Sequence, residues 1–274
     1  MATPIWFVNL LKKSFGLRYF GAEMTKWPLI GRVMERALFN GHRSGDALFY
    51  LPKDRVIINE AIDTQRNIVA PSEVVEHFIN ESKYIFLMNS CICREAANCQ
   101  DYDPNLGCIF LGEAVLGINP KLGRLVDKET ALAHLERTRE AGLVHLIGRD
   151  KIDAVWMGVR PYTKLMTICN CCPCCCLFRF LPYLAPKLQQ KIERMPGVVV
   201  EVTDDCVGCG VCADGVCFVN AITIENGRAR ISDDCRGCSN CVEACPQGAI
   251  RVVIESSDYI ESAIRRLSEA VDVG

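Results

Sequence analysis

The sequence predicts an α+β protein in two parts, a cysteine-rich module followed by a small, internally repeated domain. Three observations carry this. Helix-period and strand-like segments alternate between residues 71 and 168. Two near-copies, VEVTDDCVGCGVC (200–212) and ARISDDCRGCSNC (229–241), follow at a spacing of 29 residues. The 18 cysteines are gathered into a few blocks instead of being spread along the chain. A chain of 274 residues, half of them hydrophobic, can bury one good core or two smaller ones joined by a linker.

Residues 1–56 read as a basic amphipathic helical segment. In TPIWFVNLLKKSFG, Thr3 can cap and Pro4 suits a first turn. Phe7, Leu10, Leu11 and Phe15 share a face, and Gly16 can close the helix after Lys12 and Lys13. A second helix, from Pro28 to about Asn40, puts Ile30, Val33, Met34, Ala37 and Leu38 on one stripe and stops at Gly41. Such stripes either pack on the protein's own body or lie on a membrane surface or a partner subunit.

Residues 57–180 read as a cysteine-rich α+β metal or cluster domain. Ser72 is expected to cap a helix carrying Val74, Val75, Phe78 and Ile79, and KYIFLM (83–88) to form a buried strand. After a cysteine loop, Asp127 is expected to begin a helix with Leu132 and Leu135 inward and Gly142 at its end. LVHLI, AVWMGV and KLMTI then read as strands. Residues 181–199 form a connector with one short helix. Residues 200–255 hold the repeat, with Asn226-Gly227 as a hairpin turn between the copies. Residues 256–274 end in a helix whose Ile260, Ile264, Leu267 and Val271 form a stripe that covers the sheet.

Composition excludes several classes. Disulfide scaffolds rich in cysteine are short and secreted, whereas this N-terminus lacks a basic start and a small-residue cleavage site, so metal ligation is the better account of the sulfur. A net charge of -2 gives no footprint for nucleic acid. No apolar run approaches the roughly 20 residues of a membrane span. The expectation is a cytoplasmic protein with reduced thiols, with peripheral contact at the inner membrane face, or with a subunit, through residues 1–40. Charge is unevenly placed: residues 1–56 carry nine Lys/Arg against four Asp/Glu, and residues 200–255 four against nine. The two ends should therefore prefer different partners.

Cys235, Cys238, Cys241 and Cys245, followed by Pro246, spell CxxCxxCxxxCP. The first copy, Cys206, Cys209, Cys212 and Cys217, has four residues before its last cysteine and Phe218 in place of the proline. Residues 200–255 thus resemble the bacterial-type dicluster ferredoxins. The resemblance implies a ferredoxin-like dicluster domain with a pseudo-twofold repeat and two [4Fe-4S] clusters. In that family each run's fourth cysteine serves the other cluster. This implies one cluster on Cys206, Cys209, Cys212 and Cys245 and a second on Cys235, Cys238, Cys241 and Cys217. Zinc held by paired CxxC knuckles is the alternative.

Ten further cysteines lie upstream: Cys91, Cys93, Cys99 and Cys108 in CICREAANCQDYDPNLGC, and Cys169, Cys171, Cys172, Cys174, Cys175 and Cys176 in ICNCCPCCC. As mere buried apolar residues they need not be cysteine, and they would leave an oxidisable thiol cluster unrestrained. Metal-thiolate bonding answers both points. Pro173 prevents a regular helix, and in an extended chain Cys169, Cys171 and Cys175 face one way and Cys172, Cys174 and Cys176 the other, enough for two centres or one large one. The first block can supply four ligands alone or lend some to the run. One or two further Fe–S clusters, a zinc site with spare thiols, and ligation shared with a partner all remain open.

CICR (91–94), GLVH (142–145), ICNCCPCCC and the terminal dicluster motif together resemble a functionally unassigned group of Fe–S proteins from anaerobes, over the chain from about residue 50 onward. Arg94 can offset thiolate charge or contact an anion, against the plainer reading of an ordinary ion pair. His145 is a cluster ligand, a proton donor or, more simply, a satisfied structural histidine. His42, His77 and His134 read as surface or packing residues. Neither GxGxxG nor GxxxxGK[ST] occurs, so the glycine-rich turns are not phosphate loops.

The leading expectation is an electron-transfer subunit relaying low-potential electrons to or from a partner oxidoreductase, more than a self-sufficient enzyme. The alternatives are a redox enzyme whose N-terminal domain holds an unusual substrate-binding cluster fed by the ferredoxin domain, and a zinc-stabilised docking or cluster-delivery module.

Overall fold

The structure, a computed structural model, describes residues 2–38, 47–54, 56–58 and 68–274. The expected helix end at Asn40 and Gly41, and His42, lie outside the described residues. The N-terminal segment forms α1 (Ile5–Ser14), α2 (Arg18–Met24) and α3 (Pro28–Leu38). Gly16 does not close α1 as the sequence suggests, because a 3-10 turn at Phe15–Leu17 carries the chain directly into α2. Nor does Thr3 cap it: Pro4 occupies that position without a side-chain bond, and Thr3 is buried.

β1 (Ala47–Tyr50), β2 (Val56–Ile58) and β3 (Ile68–Val69) come next, then α4 (Ser72–Glu81), β4 (Ile85–Met88), the short α5 (Ile92–Ala96), β5 (Ile109–Leu111), β6 (Gly123–Val126), α6 (Lys128–Glu140), β7 (Val144–Arg149), α7 (Lys151–Met157) and β8 (Met166–Cys171). Asp127 caps α6 as expected, accepting from the Thr130 N–H at 2.8 Å. Ser72 does not cap α4. It is the first helical residue, and its N–H and hydroxyl donate to the Asp54 carboxylate at 3.0 and 2.9 Å. AVWMGV is helix, not strand, up to Met157. Asp150 accepts from the Ile152 N–H at 2.9 Å, and Gly158, at φ +67°, ends the helix in the left-handed region that glycine tolerates. Caps at both ends outweigh an apolar run that fits either period.

The chain closes with α8 (Pro186–Gln189), β9 (Ile192–Arg194), β10 (Val198–Val202), β11 (Ile222–Glu225), β12 (Arg228–Ile231), α9 (Asn240–Ala244), β13 (Ile250–Ile254) and α10 (Tyr259–Ala270). Among the described residues the largest sheet has seven strands in the order β6-β4-β5-β8-β7-β1-β9, antiparallel except for the β1/β9 pair. β1 and β9 fall outside the 57–180 range read from the sequence and yet pair in this sheet; each is too short to show a period. A second sheet, β10-β13-β2-β3, joins residues 56–58 in parallel to β13, and β11 and β12 form the hairpin expected around Asn226-Gly227.

Period-two alternation divides the large sheet between two cores. Phe49, Leu87, Ile147 and Ile168 face α4, α6 and α10, where Val75, Leu135 and Leu267 are buried. The terminal helix thus covers the sheet with Tyr259, Ala263 and Leu267, helped by Ile260 and Ile264. The opposite face presents Leu48, Tyr50, Leu146, Cys169 and Cys171 to Phe15, Ala22 and Phe178. The N-terminal helices pack only in part. Val8 and Phe15 are buried, but Leu10, expected on the inner stripe, is exposed, as are Trp6, Leu17, Phe20, Trp27, Leu29 and Val33.

Candidate metal and cluster centres

β8 points Cys169 and Cys171 to one face of the sheet and Asn170 to the other, across from His145. The His145 Nδ1 lies 3.0 Å from Asn170 Oδ1, and the Asn170 amide donates to Gly107 O at 2.8 Å. Burial pulls the His145 pKa down to about 4, so the ring is neutral and faces away from the thiols. It is a structural histidine, yet not the fully satisfied one of the plainer reading, because among the described residues its buried Nε2 has no hydrogen-bond partner. His134 is likewise a packing residue, 2.9 Å from Gly107 O.

Six upstream cysteines meet on the thiol face. Cys91 and Cys93 come from the start of α5, Cys108 from the approach to β5, and Cys169, Cys171 and Cys176 from β8 and the turn beyond it. Cys108 and Cys169 lie 3.6 Å apart and Cys171 and Cys176 3.2 Å apart. Cys91 and Cys93 line the same cavity as these four and feel their neighbours electrostatically, so the six thiols form one string along a single wall. Hydrogen bonds from Cys108 and Cys93 hold the Cys91 thiol low, while burial pushes Cys176 up to about 11. A bound cation reverses that cost and deprotonates its thiols, so the donor set fits a soft-metal centre. The string lines a cavity together with Arg94, Asp153, Trp156 and Phe178.

Arg94 is fully buried, and among the described residues no carboxylate pairs with it. Its guanidinium donates to Asn170 O at 2.9 Å and to Leu106 O, and faces Cys91, Cys172 and Cys108. The plain ion-pair reading therefore fails, and the position suits charge compensation of thiolates. Asp153 escaped the sequence reading. Its carboxyl is buried on the cavity wall, pushed up to about 6 by burial, and among the described residues Oδ2 has no hydrogen-bond partner. The available signal was a single acid within the otherwise apolar IDAVWM.

Cys99, Cys172, Cys174 and Cys175 form a second group, with all four Sγ atoms within 4.8 Å of one another. The first cysteine block therefore does not act alone: Cys99 joins one half of the run, and Cys91, Cys93 and Cys108 join the other. The strict alternation expected of the run holds through Cys174 and then reverses. Residues 173–175 form a turn, which sends Cys175 to the side of Cys172 and Cys174 and returns Cys176 to Cys171.

In the C-terminal part, Cys206, Cys209, Cys212 and Cys245 line one cavity with Pro246 and Gly208. Backbone N–H groups aim at sulfur: Ala229 at Cys206 (3.4 Å), Ala249 at Cys245 (3.3 Å), Gly237 at Cys235 (3.4 Å) and Ala221 at Cys217 (3.3 Å). Such donors stabilise thiolates and fit cluster ligation. Gly208 is required, since at φ +66° an added Cβ would stand 2.3 Å from Gly227 O. Burial pushes the Cys241 thiol up to about 12, followed by the charges of Cys235 and Cys217, and Cys238 feels Cys241, Cys217 and Cys235. Cys245 thus lines the cavity of the first copy, while Cys217 packs in one core with Cys235 and Cys238 of the second.

The two thiol regions adjoin. Cys169, Cys171 and Cys176 share one buried core with Cys217, Cys235 and Cys238, and Tyr50 and Phe218 belong to the same core. The Tyr50 hydroxyl is buried and has no hydrogen-bond partner among the described residues, and burial together with the charges of Cys176, Cys171 and Cys238 raises its pKa. No helix among the described residues is long and apolar enough to cross a membrane. No curated protein and no solved structure matches the chain. Residues 198–258 match the family model of the 4Fe-4S dicluster domain, so the C-terminal part of this chain is a dicluster iron–sulfur domain.

Proposed function

We propose that the chain is a multi-cluster electron-transfer protein, a subunit that relays low-potential electrons to or from a partner oxidoreductase. The observation that carries this is the single core that Cys93, Cys108, Cys169, Cys171 and Cys176 of the string share with Cys217, Cys235 and Cys238. Cys206, Cys209, Cys212 and Cys245 hold one [4Fe-4S] cluster, and Cys217, Cys235, Cys238 and Cys241 the other, related by the pseudo-twofold of the two copies. The upstream thiols hold one or two further centres. When bound, such centres supply one-electron chemistry over roughly -700 to +450 mV. The chain's own residues keep water out, set the distance between centres and donate N–H groups to sulfur.

The acidic charge of residues 200–255, four Lys/Arg against nine Asp/Glu, steers toward a basic redox partner. The resemblance carried by CICR, GLVH and ICNCCPCCC supports a role in anaerobic metabolism. The protein works in the cytoplasm, and its basic, aromatic N-terminal face rests on the inner membrane surface or on a subunit.

The test is anaerobic purification with iron, acid-labile sulfide and zinc counted per chain, followed by reductive titration. Twelve or so irons, or more, with a reducible centre beyond the ferredoxin pair support the relay. About eight irons and no further reducible centre would end it. The cavity lined by Arg94, Asp153 and the six thiols favours a second reading, in which an upstream centre binds a small anionic substrate. A ligand that perturbs the EPR of that centre and leaves the ferredoxin signals unchanged would select it.

A further inference from the structure

We propose that Cys99, Cys172, Cys174 and Cys175 form a closed site for one tetrahedral thiophilic dication, zinc or ferrous iron, separate from the six-thiol string, and that this ion clamps the string. The inference does not depend on the electron-relay reading.

Spacing is the first argument. All four Sγ atoms lie within 4.8 Å of one another, with Cys99 and Cys174 3.6 Å apart. Four thiolates on one ion at a metal–sulfur distance of about 2.3 Å stand about 3.8 Å apart. The four cysteines of a cubane each end on a different iron and stand wider. The ferredoxin cysteines provide an internal standard: among the described residues no three of them are so close to one another.

Donor chemistry is the second. Four thiols and one dication give a tetrathiolate of charge -2 and four released protons. Soft sulfur ligands select zinc or iron, and four protein ligands leave no open position, as in structural sites. The guanidinium of Arg94, which faces Cys172, offsets part of that charge.

Chain connectivity is the third. Cys172 adjoins Cys171 and Cys175 adjoins Cys176, so an ion that pins the inner pair fixes the turn that holds Cys171 and Cys176 3.2 Å apart. Cys99 does the same for the other side: its N–H donates to Arg94 O at 2.9 Å, tying it to the helix that carries Cys91 and Cys93. A change at the exposed Cys174 is therefore expected to reach the string without touching it.

The experiment uses the full chain purified without oxygen, with metal counts and X-ray absorption at the zinc and iron edges, in the unaltered protein and in Cys174→Ala and Cys171→Ala. One ion per chain is expected with four sulfurs at about 2.3 Å and no metal neighbour. The zinc edge reveals it if the ion is zinc, and an uncoupled ferrous Mössbauer doublet if it is iron. Cys174→Ala should lower the occupancy of this ion at least tenfold, keep the ferredoxin signals, and alter the spectrum of any centre on the string. Cys171→Ala should keep the ion. A metal neighbour at every edge, or an ion kept by Cys174→Ala and lost from Cys171→Ala, would overturn the proposal. Failure of the relay alone, with no reducible upstream centre, leaves this coordination result intact.

Discussion

Tyr50 and Phe218 face each other with ring centroids 5.2 Å apart and planes tilted by 38°, which ties the first strand of the large sheet to the residue after Cys217. Sequence comparison of the two copies marks Phe218 as a lost proline. In the fold it is a seam residue, 1% exposed, in the core that both groups of cysteines share.

Phe218→Ala is expected to cost about 3–5 kcal/mol of stability by opening a cavity at this seam. The site on Cys217 should then lose iron to a chelator faster, while that on Cys206 does not. Denaturant titration and the time course of the two EPR signals measure the two effects. Equal rates of loss from both sites would count against a local role for the seam.

Arg94 brings a fixed positive charge to Cys91, Cys108 and Cys172. Positive charge favours the reduced form of a nearby centre, so Arg94→Gln should lower the midpoint potential of an upstream centre by on the order of 50 mV or more. Arg94→Lys, which keeps the charge and loses the two-carbonyl fork, should fall between. Potentiometric EPR titration of the three proteins gives the order.

His145 ties stability to pH. Its pKa, lowered to about 4 in the fold by burial, lies below the roughly 6.5 of an unfolded chain. The unfolded state therefore binds the extra proton, and the stability present above about pH 6.5 is lost as pH falls toward 4. Between about pH 7.5 and about pH 5.5 the loss from this residue is about 1 kcal/mol. His145→Gln should remove that part of the slope in urea titrations, and an unchanged slope would refute the assignment.

Leu29 and Val33 on α3 are 79% and 67% exposed, beside the basic Arg32 and Arg36. The protein is expected to float with anionic vesicles at low salt and to release at high salt, where Coulomb attraction is screened. Leu29→Asp combined with Val33→Asp should weaken binding at least tenfold. Absence of flotation by the unaltered protein would leave a subunit as the occupant of that face.

The sequence by itself determined the dicluster domain, because its ligand spacing is a local property of the chain: three cysteines at steps of three, aspartates before them and Asn226-Gly227 between the copies are all within reach of one another along the backbone. It also determined helices whose caps and stripes agree, such as α6 with Asp127. AVWMGV reads as a strand and folds as a helix, since a run apolar on all sides fits both periods and the caps at Asp150 and Gly158 decide between them. Only the tertiary structure decided how the ten upstream cysteines divide. That division depends on a turn at residues 173–175, which exchanges the sides of Cys175 and Cys176, and on pairing β5 with β8, which brings Cys108 to Cys169 across 61 residues of sequence. It also decided the role of Arg94, whose partners are carbonyls and thiols from three separate segments. Contacts of that kind are set by the packing of the sheet and leave no periodic trace in the chain.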